Sequence, residues 1–189
     1  MTAVIRRRNQ PKATWSAVKS ALSGSDREAL LGLIKDLYGL SASNKQFVDT
    51  QLRLGLDPLA PYKKVVAECI SPDVFSRSRK PIQIAKAKKA ISDYQKAARD
   101  DRGELDLMIH FVECGNQFTL DYGDIDEDFY DALVNMYVRA VKLAKALPFP
   151  ESRSFRDRLR ALAVSSEPIG WGYHDSLCDA YRSAFPADA

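Results

Sequence analysis

The sequence has two histidines, three cysteines and only short runs of apolar residues. Each scarcity removes a class of answer. Cys69, Cys114 and Cys178 are odd in number and stand 45 and 64 residues apart. That spacing builds neither a disulfide framework nor a zinc site, and it suits a reducing cytoplasm. The longest unbroken apolar stretches are a few residues, too short to span a membrane. Gly-x-Ser-x-Gly, a glycine-rich phosphate loop and His-Glu-x-x-His are all missing, so no familiar nucleophile or metalloprotease motif is present. No cofactor motif appears either. What is there is a chain of 189 residues, 46% apolar and 28% charged. That is enough for a sizeable core and far from the composition of a disordered chain. Met1 to Lys12 carries Arg6, Arg7 and Arg8 with no apolar stretch behind them, and reads as a flexible basic tail (1–12) rather than a secretory signal. Residues 13–189 then form a single helical domain.

A net charge of +3 conceals an asymmetry. Residues 1–99 hold 19 Lys and Arg against 8 Asp and Glu, whereas 100–189 hold 9 against 17. Within the second part, 100–131 has 11 carboxylates and one arginine. Two arrangements produce this composition. Basic and acidic helices can neutralise one another inside the fold, or one face can keep its field for a partner.

The apolar spacing is helical almost throughout. Thr14 to Leu22 predicts a short helix. Ser25 is expected to cap the next, with Glu28 completing a capping box. Its stripe of Leu30, Leu31, Ile34, Leu37 and Tyr38 is expected to face a core, with the run ending at Gly39. Ser43 caps a third helix closed near Gly55. Pro58 and Pro61 suit the first turn of a fourth, where Tyr62, Val65, Val66, Cys69 and Ile70 follow helical spacing. Ser71 to Pro81 reads as a loop. Beyond it, Ile84, Ala87, Ile91, Tyr94 and Ala98 share one face, and Lys86, Lys89 and Lys96 the other.

Asp101 is expected to cap a helix running to about Tyr122. It is apolar on two sides, Leu105, Met108 and Val112 against Leu107, Phe111, Cys114 and Phe118, which places it at the centre of a bundle. Asp124 or Asp126 caps its partner, which ends at Leu147. Helices over Glu151 to Val164 and after Gly170-Trp171-Gly172 complete the chain. Eight or nine helices with short connections and no convincing strand make an all-α bundle. The similar hairpin lengths also allow a helical-hairpin repeat.

Three stretches carry a resemblance: Ala85 to Tyr94 (AKAKKAISDY), Phe111 to Tyr130 (FVECGNQFTLDYGDIDEDFY) and Gly170 to Asp175 (GWGYHD). They resemble a family of uncharacterised bacterial proteins of about this length, catalogued as a domain of unknown function. The likeness runs from Ser16 onward and is weakest before Pro61 and around Pro148. It implies a bacterial, soluble, helical protein and carries over no catalytic residue.

Four constellations are candidates for function. Asp106, His110, Glu113 and Gln117, spaced 4, 3 and 4, lie on one helix face. With His174 and Asp175 folded nearby they would offer acid–base or metal chemistry. The alternative is a solvated edge or a satisfied polar seam. The acidic turn Asp121 to Asp131 is not an EF-hand, because Phe129 and Asn135 stand where that loop needs Gly and Glu. Its carboxylates suit a helix N-terminus or a basic partner. Arg77, Arg79, Lys80, Lys86, Lys89 and Lys96 form a basic region able to meet phosphates or an acidic protein. Arg153, Arg156 and Arg160 recur at 3 and 4 spacing as a second cationic cluster. Finally, Trp171 between two glycines is expected to plug a groove between helices.

The reading these support best is a cytoplasmic protein-interaction or scaffolding module with segregated basic and acidic faces. It engages a protein partner or a second copy and needs no cofactor. Two alternatives stay open. One is an accessory nucleic-acid-binding protein using Arg77 to Lys96. The other is a metal-dependent enzyme with a site around His110, Glu113 and His174.

Overall fold

The computed structural model describes residues 14–55, 57–77 and 80–186. The basic tail and Arg79 lie outside them. Nine α-helices and no strand occur among the described residues, as the periodicity predicts. The chain divides into two compact units, Met1–Lys45 and Gln46–Ala189.

The first unit holds α1 (Trp15–Leu22), α2 (Arg27–Leu40) and the start of α3 (Ala42–Gln51). Thr14 caps α1, its hydroxyl accepting from the Ala17 amide at 3.3 Å. The cap of α2 is Asp26 instead of Ser25: its carboxylate accepts from the Ala29 amide at 2.8 Å. A charged oxygen meeting the positive helix end is the stronger cap, and with the register moved by one, Glu28 no longer sits where a capping box needs it. Likewise Ser41, not Ser43, accepts from the Asn44 amide ahead of α3. α2 also runs one residue past Gly39.

The larger correction concerns burial. Neither α1 nor α2 has a buried residue. Of the stripe expected to face a core, Leu30 and Tyr38 are half-buried, while Leu31, Ile34 and Leu37 are 45% to 51% exposed, and Leu33 and Leu40 beside them are exposed too.

The second unit contains α4 (Ala60–Ile70), α5 (Ile84–Ala98), α6 (Asp101–Tyr122), α7 (Glu127–Ala146), α8 (Arg153–Ser165) and α9 (Tyr173–Ala184). α6 is the central helix, packed against α4, α5, α7 and α8. Its two apolar sides explain this: Leu105, Leu107, Met108, Ile109, Phe111 and Val112 are all buried, as a helix apolar nearly all round requires. Gly115 lets α7 come close, since a Cβ there would stand 2.3 Å from a Leu133 methyl. Asp100, with extended backbone, caps α6 one residue before the expected Asp101. The second oxygen of Asp100 accepts from the Tyr94 hydroxyl at 2.8 Å, so one carboxylate joins the end of α5 to the start of α6. Gly123, at φ +90°, makes the turn out of α6. Asp126 then caps α7 through the Phe129 amide at 2.8 Å.

Candidate functional site

The polar stripe of α6 meets two cations that sequence reading passed over. Arg158 of α8 reaches Asp106 with one guanidinium nitrogen at 2.5 Å and forks onto both oxygens of Glu113 at 2.9 Å. Lys63 of α4 closes on the other oxygen of Asp106 at 2.6 Å. His110 stands 3.8 Å from Glu113 through Nδ1, 3.3 Å from the Lys63 carbonyl through Nε2, and 3.6 Å from the Cys114 sulfur. The contacts with Cys114 and Glu113 push the His110 imidazole up to about 9. For Glu113, burial opposes ionisation, but His110 and Arg158 outweigh it and hold the carboxyl down at about 2. Asp106 is likewise lowered, with Lys63 and Arg158 overcoming its desolvation. Charge balances charge across α4, α6 and α8, so each carboxylate is committed to a cation. Gln117 leaves the network and donates to Asp121 at 2.7 Å.

One signal for Arg158 was in the sequence. It sits three residues after Phe155 and four before Leu162, on the apolar face of its helix, where a cation requires a carboxylate partner. Asn116 was missed as well. It is buried and accepts from the Tyr173 hydroxyl at 2.5 Å, while its amide faces the Leu162 carbonyl at 3.3 Å. Its place four residues after Val112, on the side of α6 that carries Leu105, Met108 and Val112, was the clue.

His174 belongs to a different set of contacts. Its Nδ1 lies 3.0 Å from the Ala163 carbonyl and 3.1 Å from the Ser166 hydroxyl, at the end of α8. It shares no partner with His110, and Asp175 sits exposed in the first turn of α9. Among the described residues, no group of three or more His, Cys, Asp or Glu is placed to hold a metal ion. Two His–Cys pairs at i, i+4, His110 with Cys114 and His174 with Cys178, share the same spacing and nearest approach of 3.6 Å.

Trp171 corrects its expectation. It is 62% exposed, takes φ +62°, and stacks on Tyr130 at 6.4 Å instead of filling a groove. In the basic region, Arg77, Lys80, Lys86, Lys89 and Lys96 are exposed, and Lys89 pairs with Asp93 along α5. In the acidic turn, Asp124 accepts from the Tyr130 hydroxyl at 3.0 Å, and Glu127 and Asp128 occupy the first turn of α7. Basic and acidic segments therefore neutralise each other in part, at Lys63–Asp106.

Arg153, Arg156 and Arg160 come together. With Phe149, Asp157 and Tyr181 they line a cavity of about 320 Å³. No protein-family model, curated protein or solved structure matches the chain. No helix among the described residues is long and apolar enough to cross a membrane.

Proposed function

We propose that the chain is a non-catalytic protein-interaction module whose docking element is the α1–α2 region of the Met1–Lys45 unit. The observation that carries this reading is a capped helix of 14 residues that buries none of its side chains. A helix of that length is marginal in water by itself, and covering a leucine is worth about 1.5–3 kcal/mol. A partner that lies over Leu31, Leu33, Ile34, Leu37 and Leu40 supplies the packing the unit lacks, and exposed apolar patches of this kind mark interaction sites. Arg27, Glu28, Lys35 and Asp36 stand beside the stripe and enter no ion pair among the described residues. They are free to select a partner of matching charge. The surface lysines of α5 and the acidic turn before α7 add long-range steering. A second copy of the chain is one such partner, with two-fold symmetry the default geometry.

Sedimentation velocity over a concentration series, together with crosslinking in cell extract, tests this on two variants. Leu33→Glu with Leu37→Glu is expected to abolish association. Lys86→Glu with Lys89→Glu and Lys96→Glu is expected to preserve it at about 0.5 M salt, where exposed charges are screened. Loss with the lysine variant alone would move the interaction to the charged face, and no association by the parent chain would overturn the reading. The surface cations Arg77, Lys80, Lys86 and Lys96, which enter no ion pair among the described residues, support a second reading, nucleic-acid binding. A mobility shift on mixed DNA and RNA at low salt tests it, and no shift at micromolar protein removes it.

A further inference from the structure

Where the chain leaves a helix through the left-handed region, glycine is the ordinary residue, because a Cβ there crowds the following carbonyl. Two helices, α3 and α5, lead instead into an arginine. Arg53 takes φ +54° and Arg99 takes φ +49°. Neither guanidinium is needed to close its helix, since the backbone does so. The Leu54 amide donates to the Asp49 carbonyl at 2.8 Å, the Arg53 amide to the Thr50 carbonyl at 3.1 Å, and the Arg99 amide to the Gln95 carbonyl at 2.9 Å. A cation near the negative end of a helix gains no more than the left-handed backbone costs. Fold stability therefore gives arginine no advantage over glycine at either place.

The two arginines line one cavity of about 340 Å³. Leu54, Pro58, Ala97 and Ala98 give it an apolar wall, and Asp100 is the carboxylate of its lining. Both oxygens of Asp100 are already occupied, one by the Tyr94 hydroxyl at 2.8 Å and the other by the Arg102 amide at 3.1 Å. Arg53 and Arg99 are exposed and enter no ion pair among the described residues. Beside them Leu54 is 56% exposed, apolar surface that a ligand can cover. Two guanidinium forks suit a planar head with two oxygens, and the apolar wall asks for a hydrocarbon body attached to it. The volume lies at the lower end of small-molecule sites, about 300–1,000 Å³, so that body is short.

We propose that the cavity lined by Arg53 and Arg99 binds a monocarboxylic acid with a short apolar chain, its carboxylate held by the two guanidinium groups and its chain laid against Leu54, Pro58, Ala97 and Ala98. The site is independent of the docking reading above, since it lies wholly within the Gln46–Ala189 unit.

Calorimetric titration of the full chain with octanoate, acetate and octanamide decides it. Octanoate is expected to bind with a Kd below about 1 mM, and acetate and octanamide each at least about tenfold more weakly. Arg53→Gly with Arg99→Gly removes both guanidinium groups and at the same time relieves the left-handed backbone. It should therefore melt no lower than the parent chain while weakening octanoate by at least about thirtyfold. Leu54→Asn should bring octanoate down toward acetate. Arg153→Glu with Arg160→Glu, at the other arginine cluster, should leave affinity unchanged, and so should Leu33→Glu with Leu37→Glu, which disables the docking helix alone. Four results would overturn the proposal: no binding of octanoate at about 1 mM, acetate binding as tightly as octanoate, a folded double-glycine variant binding as the parent does, or an equal loss in either distant variant.

Discussion

The Met1–Lys45 and Gln46–Ala189 units are built from the same kind of helix and treat it in opposite ways. α2 and α7 both carry leucines at helical spacing and both begin on an aspartate cap. In α7 the apolar face is buried from Phe129 to Ala144, whereas in α2 no residue is buried. Amphipathic periodicity therefore reports that a face needs cover, and says nothing of whether the same chain provides it. That is why the stripe of α2 was expected at a core, and no residue of it is buried.

The contrast can be broken or sharpened by substitution, beginning where the effect is largest. Leu133 has no exposure and packs where Gly115 leaves room for it. Leu133→Ala is expected to lower the unfolding free energy by about 2–5 kcal/mol, read from urea denaturation. Next, Arg158→Met removes the cation shared by two partly buried carboxylates and leaves Asp106 with Lys63 and Glu113 with His110. About 2–3 kcal/mol should be lost, less than for a fully buried pair, and a second change of Asp106 and Glu113 to Asn and Gln should recover most of it. Asp126→Ala removes the cap of α7 and should cost about 1 kcal/mol.

A pH series isolates His110. Its folded value stands above its ordinary one, at about 9. The imidazolium therefore stabilises the fold fully below about pH 6.5, and that contribution is lost as pH rises through about 9. The stability difference between the parent chain and His110→Gln should shrink over that window, and a constant difference would refute the coupling to Glu113 and Cys114. At the small end, Leu37→Ala on α2 should change the stability of the unassociated chain by less than about 0.5 kcal/mol. A loss as large as that of Leu133→Ala would erase the distinction between the two units.

Where the sequence reading and the structure part company, the physical causes are local. Three helix starts, those of α2, α3 and α6, shift by one or two residues because neighbouring Ser and Asp side chains compete to cap. The winner is the one whose backbone is extended, as at Asp26 and Asp100. The stripe Asp106, His110 and Glu113 was legible as a shared face. Its partners were not, since Arg158 lies 45 residues beyond Glu113 and only folding brings α8 alongside α6. The arginine cluster at 153, 156 and 160 could be read from its spacing, but Tyr181 and Phe185 arrive from another helix.

Periodicity and composition alone determined that this chain is helical, that α6 is central and that its charge is unevenly spread. Those properties depend on side chains a few residues apart, which the helix repeat itself places on common faces. Tertiary packing alone decided which face is covered and which arginine meets carboxylates. Each of those outcomes depends on helices distant in sequence meeting in space, and local spacing carries no record of such meetings.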